Sequence, residues 1–268
     1  MSLHVFCTEL KRGLGWKVLA AAVGAAFCIC FDSWNVLIND LRTGNGYVHY
    51  FFWNSGYGGV CRQYLLPIFT TLPFAASFCR EYNDNLLPFI VSREGEKRYC
   101  IVKYMVNAIC GGLAAAIGTA VLFGFLASQM PVTDINDPAY LNAVPGDTFH
   151  FWMAWHHPFL YGAVEAANGF LVGILWSGAA MCVSAFIPNT FVVTISPYLC
   201  SFVVVHVYRL LGVENRYRLD KWLTGYSVIR SSIFTLFLSA VTVGGIVLLL
   251  GAVFTKGAVG RIKNEGHC

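Results

Sequence analysis

The chain has 268 residues, of which 57% are hydrophobic and only 12% are charged. Because a typical soluble domain carries about 25% charged residues, this composition excludes an ordinary soluble globular protein. The net charge of +4 is small, and no basic stripe carries interleaved aromatic residues, so the sequence predicts no nucleic-acid partner.

Residues 2–13 predict either a short helix that lies at the cytoplasmic surface of a membrane or an ordinary polar segment that leads into the first span. Leu3, Phe6 and Leu10 recur at helical spacing, with polar residues elsewhere on the turn. Residues 14–37 then form an apolar segment long enough to cross a bilayer. The segment resembles the hydrophobic part of a signal peptide, but its apolar character continues without a cleavage site, so a retained membrane helix is predicted.

Five more apolar segments follow, and together they predict an all-α polytopic membrane protein with one transmembrane domain over residues 1–268. The six predicted transmembrane helices cover residues 14–37, 60–79, 101–127, 160–187, 191–211 and 231–254. Pro67 and Pro73 lie within the second span, and membrane helices tolerate proline better than soluble helices do. Gly111 and Gly112 belong to a small-residue face of the third span, which favours close helix packing.

The distribution of Lys and Arg orients the predicted helices. Six spans place both termini on the same side, and 11 of the 18 Lys and Arg residues then fall on that side. Basic residues favour the cytoplasmic side, so both termini are predicted to lie in the cytoplasm and the protein in the cell membrane. Five of the other seven basic residues cluster around residues 212–230, which form either a free outer loop or a pair of partly inserted helices.

The loop between the second and third spans is the most densely charged run of the chain. Glu81 directly follows the second span, and Arg93 and Lys103 lie 12 and 22 residues later. A buried or interfacial Glu81 paired with these basic residues would tie the ends of the two spans together. The alternative is a charged loop that only follows the preference of basic residues for the cytoplasm.

A short amphipathic helix is predicted within the same loop. Residues 83–85, with the sequence Asn-Asp-Asn, and Pro88 break the preceding helix and start a new one. Leu86, Leu87 and Phe89 give the new helix an apolar surface. Such a surface is typical of helices that dock in a groove on a soluble partner.

This arrangement resembles that of the permease subunits of the ABC-2 transporter family. Those subunits share a short cytoplasmic N-terminal helix and six spans, with a Glu just after the second span. An amphipathic piece, an Arg and a Lys entering the third span follow. The matching positions here are Glu81, residues 83–92, Arg93 and Lys103. The resemblance implies that the amphipathic piece is a cytoplasmic coupling helix, and that this helix and the N-terminal helix contact an ATP-binding subunit.

The energy source that this resemblance implies lies on another chain. The sequence contains no G-x-x-x-x-G-K-[ST] phosphate-binding motif, so ATP and Mg²⁺ are expected on the partner subunit. The chain is predicted to be a transport subunit and not an enzyme, with no cofactor or metal of its own. One six-span subunit resembles half of a translocation path, which implies a second permease subunit, identical or different.

The predicted function is therefore that of a permease in an ATP-driven ABC exporter. The mostly apolar interior suits a hydrophobic or amphipathic substrate. Small permeases of the family are often linked to immunity against peptide antibiotics or bacteriocins, so such a peptide is the substrate that the resemblance implies. The alternative is a non-transporting membrane scaffold or immunity protein that binds its target directly.

Glu165 is the one carboxylate well inside a predicted span. An ionisable residue at such a position indicates a functional role by default, and contact with the substrate or with a second subunit is the role predicted here. The alternative is that Glu165, near the outer end of the fourth span, reaches interfacial water.

Overall fold

A computed structural model describes residues 3–43, 46–144 and 150–265 of the chain. Within these ranges the regular elements are all helical, and no strand occurs. In chain order the helices are α1 (Leu3–Gly13), α2 (Trp16–Asp32), α3 (Trp34–Thr43), α4 (Val48–Gly58), α5 (Leu66–Thr71), α6 (Ser77–Asn83), α7 (Leu87–Glu94), α8 (Glu96–Gln129), α9 (Pro138–Ala143), α10 (Phe151–His156), α11 (Pro158–Ser184), α12 (Thr190–Leu210), α13 (Leu219–Leu223) and α14 (Ser232–Glu265). A π-helical turn over Cys61–Leu65 precedes α5, and a 3₁₀ turn over Asn215–Tyr217 precedes α13.

Four of the described helices are long and apolar enough to cross a membrane: α8, α11, α12 and residues Ser232–Lys263 of α14. The pair α1 and α2 adds a fifth if Val5–Gly13 and Trp16–Asp32 count as one span, although the two meet at an angle of 51°. The chain is thus an all-α protein with apolar helices suited to a membrane, as its composition predicts. The total of six spans and the cytoplasmic position of the termini stay predictions.

The first apolar helix is shorter than the predicted span over residues 14–37, because α2 ends at Asp32 and α3 begins at Trp34. The carboxylate of Asp32 accepts hydrogen bonds from the backbone N–H groups of Cys61, at 2.9 Å, and Arg62, at 2.6 Å. These N–H groups open the next helical element and have no partner within it. Asp32 therefore fastens the end of α2 to the start of the π-helical turn.

The second predicted span, residues 60–79, is not one continuous helix. It consists of the π-helical turn, α5, a run of turns and α6. Pro67 and Pro73 each lack the N–H group that an unbroken helix needs at their positions. The hydroxyl groups of Thr70 and Thr71 each donate to a backbone carbonyl three residues earlier, at 2.8 and 2.7 Å. The carbonyl oxygen of Gln63, four residues before Pro67, instead accepts a hydrogen bond from the Ser201 hydroxyl of α12 at 2.7 Å, so a neighbouring helix satisfies it.

The helices α8 and α11 form the centre of the fold, and α2 and α14 pack on α8. The crossing of α8 and α11 depends on glycine. A Cβ atom on Gly173 of α11 would overlap the carbonyl oxygen of Gly111 and the Cα of Gly112 in α8. The small-residue face predicted for the third span is therefore confirmed as a site of close helix packing.

Replacing Gly173 by alanine is expected to destabilise the protein by about 1–3 kcal/mol, because the added methyl group forces α8 and α11 apart. Gly124→Ala in α8 is the matched control, since no described atom from another part of the fold lies within 4 Å of its Cβ position. This control is expected to be neutral, or to stabilise by up to about 1 kcal/mol through helix propensity. Chemical unfolding in detergent measures both variants, and equal effects would contradict the close crossing.

Residues 212–230 contain a short packed helix, α13, and are not a free loop throughout. α13 packs against α11 and α14, and Lys221 within it is buried. Its Nζ atom donates a hydrogen bond to the backbone oxygen of Tyr57 at 2.5 Å, and burial lowers the pKa of Lys221 to about 8. Arg218 pairs with Asp220 at 2.8 Å. Arg218 and Lys221 belong to the basic residues that the predicted topology places on the outer side. Both side chains are buried and bonded within the fold.

Candidate functional site

A cluster of charged side chains, two of them fully buried, lies where α1, α6 and α8 meet. The cluster, called here the Glu81 cluster, consists of Glu9, Arg12, Glu81, Tyr99 and Lys103. Lys103 Nζ lies 2.5 Å from Glu81 Oε1 and 2.9 Å from Glu9 Oε2. Arg12 and Tyr99 also donate hydrogen bonds to the Glu81 carboxylate. One acidic side chain of α6 therefore holds together three elements that are far apart in the sequence.

The charges of the cluster balance one another. Glu81 and Lys103 are both fully buried, and buried ions are tolerated only when paired and hydrogen-bonded. Burial by itself raises the pKa of Glu81, but the charge of Lys103 and the hydrogen bonds from Lys103 and Tyr99 outweigh it, so the pKa lies below its usual value. Glu81 is therefore ionised at neutral pH, and its negative charge is what holds the cations in place.

The sequence predicted only part of this cluster. Glu81 and Lys103 lie together as expected and join the ends of α6 and α8. The side chain of Arg93 lies outside the described residues, so its pairing with Glu81 stays a prediction. Arg12 and Tyr99 were not predicted, because no local pattern links them to Glu81. Arg12 is separated from Glu81 by 69 residues.

The predicted amphipathic helix is present as α7, directly beside the Glu81 cluster. The backbone N–H of Leu86 donates to the carbonyl oxygen of Glu81 at 3.0 Å. Leu87 is buried in the same hydrophobic core as Tyr99, whereas Leu86 and Phe89 are exposed, Phe89 to 72%. α7 therefore has one face anchored to the cluster and another that presents apolar side chains outward.

Glu165 lies in a second buried ion pair, on α11. Its Oε2 atom is 3.7 Å from Nη2 of Arg62, which belongs to the π-helical turn. Arg62 also donates through Nη1 to Ser55 Oγ, at 2.5 Å, and to the carbonyl oxygen of Phe52, at 3.2 Å. Glu165 is fully buried, so the alternative that it reaches interfacial water is wrong. Its predicted contact with a substrate or a second subunit stays a prediction.

Arg62 was not predicted as the partner of Glu165. The available signal was that Arg62 is the only basic residue inside the second predicted span, residues 60–79. Ionisable residues in apolar spans tend to pair with one another. This rule, applied to the second and fourth predicted spans, predicts an ion pair between Arg62 and Glu165.

A cavity of about 380 Å³, called here the central cavity, lies beside this ion pair. Its wall combines residues of the π-helical turn, α11, α12, α13 and α14. The apolar lining includes Leu66, Val172, Leu175, Trp176, Val204, Ile246 and Leu250, and the polar lining includes Arg62, Gln63, Ser201, Tyr208, Asp220 and Thr224. Gln63 Nε2 donates to Asp220 Oδ2 at 2.7 Å across the polar part of the wall. The cavity is thus mostly apolar, and its charged groups are paired, Arg62 with Glu165 and Asp220 with Arg218.

No protein-family model matches the chain, and no curated protein or solved structure matches it either. The fold defines the chain as an all-helical protein whose long apolar helices suit a membrane. Its distinctive features are the Glu81 cluster beside an exposed amphipathic helix, and the central cavity beside the Arg62–Glu165 pair.

Proposed function

We propose that the chain is the permease subunit of an ATP-driven exporter of the ABC-2 type, and that α7 is its coupling helix. The observation that carries this proposal is the position of α7. It exposes Phe89 and Leu86 while its base is joined to Glu81, which in turn binds α1 and α8. A soluble partner that pushes on α7 therefore acts on three helices at once.

The Glu81 cluster connects α7 rigidly to α1 and α8, so that a movement of α7 caused by the partner is transmitted to both helices. Leu87 anchors α7 in the core, and the hydrogen bond from Leu86 to Glu81 joins the start of α7 to the end of α6. Ion pairs from Glu81 to Arg12 and Lys103 carry the movement into α1 and α8. A change of the partner between two shapes can then shift the permease between two conformations.

The ATP-binding subunit supplies ATP and Mg²⁺, and a second permease subunit, identical or different, completes the path. The substrate in this proposal is hydrophobic or amphipathic, such as a peptide antibiotic or bacteriocin. The protein lies in the cell membrane with both termini in the cytoplasm. The competing proposal is a non-transporting scaffold or immunity protein, for which the exposed face of α7 binds a partner that does not hydrolyse ATP.

Phe89→Glu is expected to release the ATP-binding subunit while leaving the permease folded, because the side chain is exposed and makes the apolar surface charged. Loss of a central interface residue costs about 2 kcal/mol or more, which is roughly a 30-fold weaker complex. The control is Phe159→Glu, since Phe159 is 88% exposed at the start of α11. Purification of the tagged chain from its own cells, with assay of bound ATPase activity, measures the effect.

The two proposals give different results in this experiment. Recovery of an ATP-binding chain with the native protein and with Phe159→Glu, but not with Phe89→Glu, supports the permease. Recovery of a partner without ATPase activity favours the scaffold. An ATP-binding chain that stays bound to Phe89→Glu at the native level would rule out α7 as the coupling helix.

A further inference from the structure

We infer that the central cavity binds an uncharged amphipathic molecule, whose hydrocarbon part lies against the apolar wall and whose head group lies beside Gln63 and Tyr208. One part of the inference, that this molecule is the exported substrate, rests on the proposed function. Binding itself requires no ATP-binding subunit, so it can be tested separately.

The size and lining of the cavity suit a small molecule with a hydrocarbon chain. A volume of about 380 Å³ falls within the range of about 300–1,000 Å³ that is usual for ligand sites. Val172, Trp176, Ile246 and Leu250 supply a continuous apolar wall from α11 and α14. Transfer of a hydrocarbon chain onto this wall removes apolar surface from water and favours binding.

The polar part of the wall retains free hydrogen-bonding capacity. Gln63 Nε2 donates to Asp220, and Arg218 donates to the same carboxylate while its guanidinium lies 5.7 Å from the ring centre of Tyr208. Among the described residues, neither Gln63 Oε1 nor the Tyr208 hydroxyl has a hydrogen-bond partner. A head group with both a donor and an acceptor, such as a hydroxyl or an amide, satisfies these two atoms.

The charges in the wall are already compensated. Arg62 lines the cavity and is paired with Glu165, and Asp220 lines it and is paired with Arg218. A charged head group would leave one uncompensated charge in this buried site, which is costly. An uncharged head group adds no charge, and the wall therefore favours it over both an anion and a cation.

The lining also indicates the route of access. Val204 and Cys200 of α12 line the cavity and are exposed, Val204 to 42%, on a helix apolar enough to face lipid. Ile246 and Leu250 of α14, another such helix, also line the cavity. An amphipathic molecule therefore reaches the cavity from the apolar surface of the helices, between α12 and α14.

Two native thiols allow occupancy to be measured on the full-length chain in lipid nanodiscs. Cys200 lines the cavity, whereas Cys7 is exposed on α1 and serves as the internal control. N-ethylmaleimide alkylation of each is followed by peptide mass spectrometry with 1-monodecanoylglycerol, decanoate or decyltrimethylammonium present. We expect 1-monodecanoylglycerol to slow the alkylation of Cys200 about tenfold at ten times its Kd. Cys7 is expected to be unaffected, and the two charged probes are expected to protect Cys200 far less.

Three variants test the position of the ligand. Ala179→Trp fills the cavity and is expected to abolish binding, whereas Ala20→Trp, at an exposed position of α2 outside the lining, is expected to retain it. Because tryptophan at position 179 itself shields Cys200, binding to both tryptophan variants is measured by native mass spectrometry. Gln63→Leu is expected to weaken binding roughly two- to tenfold, as for one lost hydrogen bond.

Equal protection of Cys200 by all three probes would show that the cavity does not prefer an uncharged head group over a charged one. Absence of protection by any probe, or binding that persists in Ala179→Trp, would overturn the cavity as the site. None of these results depends on Phe89 or on an ATP-binding subunit. A failure of this inference is therefore distinguishable from a failure of the proposed coupling function.

Discussion

Glu81→Gln is expected to destabilise the protein by about 3 kcal/mol, the lower part of the range for a broken buried ion pair. The substitution keeps the shape of the side chain but removes the charge that faces Lys103 and Arg12. Lys103 is then left fully buried with only Glu9 as a counter-charge, which is why the loss stays in the lower part of the range. Chemical unfolding in mixed detergent micelles measures the change.

A matched control and a double variant separate the cluster from a general effect of charge. Glu96→Gln removes a partly exposed carboxylate 3.9 Å from Lys263, and the expected loss is below about 1 kcal/mol. Combining Glu81→Gln with Lys103→Met is expected to cost at least about 1 kcal/mol less than the sum of the two single losses, because both charges are gone. The ion pair of Glu81 and Lys103 would be shown not to act as a unit by either of two results. One is a double variant whose stability loss equals the sum of the two single losses, and the other is a Glu81→Gln loss no larger than that of Glu96→Gln.

Arg62→Met is expected to cost about 3–5 kcal/mol, because Glu165 is left as an uncompensated charge in the middle of the fold. The substitution also removes the donor that serves Ser55 and the carbonyl oxygen of Phe52. Thermal unfolding in detergent, followed by the amount of monodisperse protein that remains, measures the loss.

The double variant Arg62→Met/Glu165→Gln is expected to recover part of the stability that Arg62→Met loses, because no charge then remains unpaired. Arg42→Met is the control, since Arg42 is exposed in the last turn of α3 and its replacement is expected to change stability by no more than about 0.5 kcal/mol. A double variant less stable than Arg62→Met would mean that Glu165 is held by contacts other than Arg62.

The long apolar helices could be predicted from the sequence, because their length and composition depend only on neighbouring residues. α8, α11, α12 and α14 lie where the third to sixth spans were predicted. The interruption between α5 and α6 could not be predicted in the same way. Proline is tolerated in some membrane helices, so its presence alone does not decide whether the helix breaks.

The same distinction applies to the candidate sites. Glu81 and Lys103 flank one loop, so their pairing could be predicted from the chain order alone. The pairs Arg12–Glu81 and Arg62–Glu165 join residues far apart in the sequence, and only the packing of the helices brings them together. The central cavity is likewise a property of how helices from both halves of the chain meet, and no stretch of sequence encodes it locally.

The composition of the Glu81 cluster has a consequence for biosynthesis. Arg12 leaves the ribosome before Glu81, whereas Lys103 follows Glu81 by 22 residues. At a synthesis rate of about 5–20 residues per second, those 22 residues take about 1–4 s. During that interval Arg12 is the only cation of the cluster already made, so it is the only one of the two cations with which Glu81 can pair before Lys103 is synthesised.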